Sequence, residues 1–98
     1  MKFNEEHKEE IYKRAEILKA LSNPVRLCLL IKLIQDGPAS VNEITSCMDV
    51  SQSAISQHLS KLRDMNIVKS TKVENRIFYS CEREDVKRII SCLMEDIK

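Results

Sequence analysis

Apolar residues recur at helical spacing along most of the chain and at strand spacing in only one stretch. Ile11, Ala15 and Leu18 stand four and three apart, which predicts a first helix over residues 5–21 with Asn4 as its cap. Asn23-Pro24 joins a capping residue to a proline suited to the first helical position. Leu27, Leu30, Ile31 and Ile34 then form the expected buried stripe of a second helix, which Asp36-Gly37-Pro38 stops. Ser40 and Glu43 have the spacing of a capping box. They open a short third helix with Val41, Ile44, Cys47 and Met48 as its apolar positions, Cys47 being expected to pack as a small core residue. A tight turn at Asp49-Val50 leads to Ser51, the cap of a fourth helix that runs to about Met65 with Ile55, Leu59 and Leu62 on one face.

Residues 67–81 break this rhythm. Ile67-Val68 and Val73 sit among Lys, Ser and Thr, and Ile77-Phe78-Tyr79 follows the polar pair Glu74-Asn75. β-branched and aromatic residues on either side of a short polar pair predict a hairpin. A fifth helix begins at about Arg83, with Val86, Ile89, Ile90, Leu93 and Ile97 as its stripe. Two short helices joined by a tight turn make a helix-turn-helix, and a hairpin placed after the second of them is a wing. The expected fold is mainly α with a small β-hairpin: a winged helix-turn-helix of five helices and a two-stranded wing, forming one domain over residues 1–98.

Composition narrows the function. A chain of 98 residues with one Gly and two Pro suits a small helical domain that buries only about two-thirds of its surface. Exposed apolar stripes on the first and last helices are therefore expected to build a homodimer as well as pack within the chain. The net charge is +1 but it is unevenly placed. Residues 51–80 set Lys61, Arg63, Lys69, Lys72 and Arg76 against Asp64 and Glu74, a local +3, of the kind a phosphate backbone selects. The start Met-Lys-Phe-Asn-Glu-Glu-His has no apolar stretch typical of a secretory leader. No apolar run approaches the roughly 20 residues of a membrane span. A cytoplasmic protein with reduced cysteines is expected, so Cys28, Cys47, Cys81 and Cys92 are not read as a disulfide framework. No pair has C-x-x-C spacing, and there is no Gly-rich phosphate loop and no room for a sizeable catalytic pocket. An enzyme is not expected.

The stretches Leu18-Lys-Ala-Leu-Ser-Asn-Pro-Val-Arg-Leu27 and Val50-Ser-Gln-Ser-Ala-Ile-Ser-Gln-His-Leu-Ser-Lys-Leu-Arg63, followed by Met65-Asn-Ile-Val68 and Arg76-Ile-Phe-Tyr79, resemble the ArsR/SmtB family of bacterial winged-helix regulators. The resemblance runs from about Ala15 to Leu93. It implies a homodimer that binds double-stranded operator DNA as a repressor and lets go when an inducer arrives.

The polar positions of the fourth helix fit that role. A recognition helix lies in the major groove with its N-terminal residues nearest the base edges. Gln pairs with adenine N6 and N7, and Ser donates or accepts, so Gln52, Ser53, Ser56 and Gln57 are the base-reading candidates. Lys61 and Arg63 extend the same DNA-binding set. His58 either touches a phosphate or seals the seam between helix and wing. In the wing, Lys69, Lys72, Asn75 and Arg76 suit phosphate contact and the fixing of register, and the same charges also keep an edge hairpin soluble. A winged helix used only to bind another protein is the competing reading. It would call for an apolar or acidic face where residues 52–63 are polar and slightly basic.

Family members commonly bind a metal or use thiols to release DNA. Arsenic- and cadmium-type members carry Cys-Val-Cys where this chain has Ser40-Val41-Asn42, and zinc-type members carry Asp and His along a last helix that here has no His, only Asp85 and Glu95. No metal ligand set and no cofactor are assigned, and a non-standard metal or metalloid site stays an alternative. Some relatives sense persulfides or oxidants with one cysteine on each of the second and fifth helices, which makes Cys28 and Cys92 the sensing candidates, the alternative being that Cys28, like Cys47, packs as a small buried hydrophobe. Cys81, at the end of the wing, is left open between a ligand and a reactive thiol.

Overall fold

Caps set the start of nearly every helix. The computed structural model describes residues 2–97, and Met1 and Lys98, the ends of the expected domain, lie outside the described residues. Its elements are α1 (Glu5–Leu21), α2 (Pro24–Asp36), α3 (Val41–Thr45), α4 (Gln52–Asp64), β1 (Lys69–Val73), β2 (Arg76–Ser80) and α5 (Glu84–Met94). The Asn4 side chain accepts from the His7 N–H, Asn23 from Val25 and Arg26, and Ser51 from Ala54. Each satisfies donors that the first helical turn leaves free. The capping box is formed in full: Ser40 Oγ accepts from the Glu43 N–H at 3.3 Å, and the Glu43 carboxylate accepts from the Ser40 N–H at 3.2 Å. Gly37 ends α2 with φ 88, a left-handed value that glycine adopts without strain.

The core is one cluster. Leu29, Leu30 and Leu33 of α2, Ile44 of α3, Ile55, Leu59 and Leu62 of α4, and Val86 and Ile90 of α5 are buried together with Ile67, Val68 and Tyr79. Two stripes differ from expectation. On α2 the deepest positions include Leu29 and Leu33, while Leu27, Ile31 and Ile34 are only partly buried. A helix flanked on several sides buries more than one stripe, and periodicity alone does not rank its positions. On α1, Ile11, Ala15 and Leu18 face solvent in the single chain, and burial is confined to Ala20 and Leu21 with Ile17 at the edge. Leu93 and Ile97 are exposed as well, and Ile97 lies past the end of α5.

The helix-turn-helix is looser than predicted. Only Val41–Thr45 is α-helical, and Cys47 and Met48 bond back three residues to Ile44 and Thr45 instead of four. Thr45 Oγ1 donates to the Val41 carbonyl at 2.7 Å and Ser46 Oγ to that of Glu43 at 2.8 Å, the local competition by which Ser and Thr weaken a helix. Cys47 falls in this turn and is exposed, so its expected place in the core is corrected.

The hairpin pairs β1 and β2 antiparallel from Lys69↔Ser80 to Val73↔Arg76. Ala39 adds a bridge to the other edge of β2, with N···O distances of 3.0 and 2.8 Å to Tyr79. That bridge anchors the wing beside the start of α3. Glu74 takes the left-handed conformation in the two-residue turn, with φ 58, which costs an L side chain about 1–2 kcal/mol. Glu74→Gly relieves that cost but adds unfolded-state entropy. A net gain of up to about 1 kcal/mol is expected, seen as a raised thermal midpoint, and a lowered midpoint would contradict it.

Candidate nucleic-acid interface

The geometry of α4 follows from what it buries. Ile55, Leu59 and Leu62 are each 0 % exposed, and successive residues turn by about 100°. Ser53, Gln57 and Ser60 therefore project away from the core, and all three are exposed. Asp64 shares this outward face, an acidic group at its far end that the sequence pattern did not single out. Gln52, Ser56 and Arg63 fall on one flank, where the Gln52 amide reaches Asn42 of α3. Lys61 and His58 fall on the opposite flank.

The end of α4 aims the wing. Asn66 adopts φ 59, its N–H donates to the Arg63 carbonyl at 2.9 Å, and the Ile67 N–H donates to that of Leu62 at 2.9 Å. This is a Schellman termination with Asn in the left-handed position. It gives the Met65-Asn-Ile-Val68 stretch a structural purpose: the helix stops and Ile67 and Val68 drop into the core.

His58 lies against α2 rather than the wing. Its Nδ1 is 3.5 Å from Nη1 of Arg26, whose Nε donates to the Ala20 carbonyl at the end of α1 at 2.6 Å. Arg26 thus joins α1, α2 and α4. Burial, then the charges of Arg26 and Lys61, hold the imidazole below its ordinary range, so it is neutral at pH 7. The wing seam expected for His58 is replaced by this helix seam.

The cations divide into paired and unpaired. Lys69 bonds to Glu82 at 3.0 Å. The Arg76 guanidinium lies 3.3 Å from Glu43 Oε1, 3.4 Å from Ser40 Oγ, and 5.0 Å from the centre of the Phe78 ring. Hydrogen bonds from Ser40, and then the Arg76 charge, keep the Glu43 carboxyl below its ordinary range. Arg76 therefore links wing to α3 while most of its side chain stays exposed. Lys61, Arg63 and Lys72 make no ion pair among the described residues, and Asn75 is exposed at the wing tip. Sequence reasoning missed Asn42 and the wider role of Glu43. The capping-box signal was present, but Arg76 is 33 residues away from Glu43.

The sensing candidates do not share a site within the chain. Cys28 lines a cleft between α2 and the turn before α4 together with Cys47, and Cys92 is exposed on α5. Cys81 is buried, and burial pushes its thiol up, which argues against a reactive thiolate. Among the described residues no three His, Cys, Asp or Glu side chains lie together as a metal site, and no helix is long and apolar enough to cross a membrane.

The chain is similar to known transcriptional regulators. The family model described as "Bacterial regulatory protein, arsR family" matches residues 23–70. The HTH-type transcriptional regulator YgaV of Escherichia coli K12 is 40 % identical over 81 % of this chain and 80 % of its own length. The transcriptional activator HlyU of Vibrio cholerae is 40 % identical over 83 % of this chain and 74 % of its own length. The crystal structure of NolR from Sinorhizobium fredii superposes with a TM-score of 0.86 at 35 % identity, covering 99 % of this chain and 96 % of that one.

Proposed function

Because the chain belongs to the bacterial arsR family of regulatory proteins, we propose that it is a homodimeric repressor that reads an operator through the outward face of α4. It is a winged-helix DNA-binding regulator and not an enzyme. The observation that carries the finer reading is the free polar face of α4. Ser56 and Gln57 are exposed and make no side-chain hydrogen bond among the described residues, so both are available to base edges. Lys61, Arg63 and Lys72 supply the unpaired charge that phosphates select, and Gln52 reaches bases by exchanging its Asn42 contact. Dimerisation through the apolar faces of α1 and α5 sets two reading helices on half-sites about one DNA turn apart. The protein works in the cytoplasm, and thiol chemistry releases the operator, with Cys28 and Cys92 both accessible to an inducer.

Gln57→Ala tests the reading face. A bidentate base contact is worth about 1–3 kcal/mol, so affinity for a duplex from the region upstream of its own gene falls about tenfold or more per half-site. Urea stability stays within about 0.5 kcal/mol, as for other exposed positions. Unchanged affinity in both Gln57→Ala and Ser56→Ala would show that DNA meets another face, or that the wing serves a protein partner.

A further inference from the structure

Three of the chain's polar or reactive side chains line one cleft that DNA reading does not use. The cleft between α2 and the turn ahead of α4 encloses about 420 Å³ and is lined by Cys28, Lys32, Cys47, Met48 and Val50 among others. Both thiols are exposed there. Lys32 stands one helical turn after Cys28, on the same face of α2. Its ammonium is fixed 3.1 Å from Asp36 Oδ2, and its side chain is only 20 % exposed. Asp36 first, and the Cys47 sulfur after it, hold Lys32 above its ordinary value.

We propose that Cys28 and Cys47 form a redox dithiol, which a hydroperoxide oxidises to a disulfide that ties the reading head to α2. The inference rests on the reading of the chain as a thiol-released repressor; it keeps Cys28 from that reading and puts Cys47 in place of Cys92 as its partner. The Cys47 thiolate attacks the peroxide oxygen, the O–O bond breaks, and the leaving alkoxide or hydroxide takes a proton. Cys47 becomes a sulfenic acid. The Cys28 thiolate then attacks that sulfur and water leaves as the S–S bond forms. Two thiols lose two electrons and two protons, and the hydroperoxide is reduced to an alcohol, or to water, with a further water released.

The placement gives this bond a mechanical effect. Cys47 lies in the irregular turn after α3, where its own N–H bonds back three residues to Ile44, and it is the partner that moves. Gln52, the first residue of α4, follows five positions later. A tether at Cys47 therefore acts close to the start of the reading helix. Cys92 does not line the cleft.

The test treats the reduced full-length protein with hydrogen peroxide. Peptide mapping without reductant reads the linkage, and fluorescence anisotropy reads binding to a duplex from the region upstream of its own gene. The expected result is a Cys28–Cys47 peptide in the wild type and in Cys92→Ser. Affinity falls at least tenfold in both and returns with dithiothreitol. In Cys47→Ser, exposed and so tolerant of the change, the linkage is absent and affinity moves less than twofold. A Cys28–Cys92 bond, a bond between subunits, no bond, or a Cys28–Cys47 bond that leaves affinity unchanged would each overturn the proposal. Failure of the reduced protein to bind the duplex would count instead against the repressor reading, with the linkage still judged by mass.

Discussion

Leu93→Asp leaves the chain folded and lowers its affinity for a duplex with two half-sites on the order of a hundredfold. Leu93 is 57 % exposed on α5, and the same helix turns Val86 and Ile90 into the core. The substitution therefore spares the fold and strikes the outer face. That face is continuous in character with α1, where Tyr12 is 75 % and Leu18 56 % exposed. The molecule is also stretched: its radius of gyration is 14.8 Å, against about 13 Å for a compact chain of this length. Burying a leucine contributes about 1.5–3 kcal/mol, and a two-fold interface counts each change twice. A carboxylate there also carries a desolvation cost of several kcal/mol. Separating two reading heads forfeits the avidity of linked binding, typically 10²–10⁴. Light scattering with anisotropy on the same sample checks both halves. A variant of unchanged mass and affinity would place the dimer surface elsewhere.

Leu59→Ala has the other large effect, on stability. Leu59 is fully buried at the centre of α4 and packs in the cluster that joins all the helices. Truncating a leucine in such a place costs about 2–5 kcal/mol, a large share of the roughly 5–15 kcal/mol that holds a small domain. Ser60→Ala, one position on and exposed, should change stability by no more than about 0.5 kcal/mol. Urea unfolding separates the two. A loss below about 1 kcal/mol at Leu59 would mean that α4 is not seated on the core as described.

Element order and most helix starts were legible because capping is local chemistry. Asn4, Asn23, Ser40 and Ser51 each bond to a backbone N–H within three residues, and such spacing is visible in a sequence. The outward set on α4 was legible for the same reason, since Ile55, Leu59 and Leu62 fix its phase. The end of α3 was not, because the Thr45 and Ser46 side chains win a close competition with the helix that propensity leaves nearly balanced. Apolar spacing on α1 announced a buried face without saying which molecule buries it. Pairings between distant residues, Arg76 with Glu43 and Arg26 with His58, depend on the folded arrangement and leave no local sign. The exposure of Cys47, and with it the cleft it shares with Cys28, followed from the early end of α3.

The most direct measurement is a titration of the labelled protein with a duplex from its upstream region, followed residue by residue through backbone amide resonances. The account predicts that the largest shifts fall on Gln52, Ser53, Ser56, Gln57 and Ser60, with a second group at Lys72 and Asn75 in the wing. Shifts gathered on α1 and α5 instead, with α4 unmoved, would contradict it.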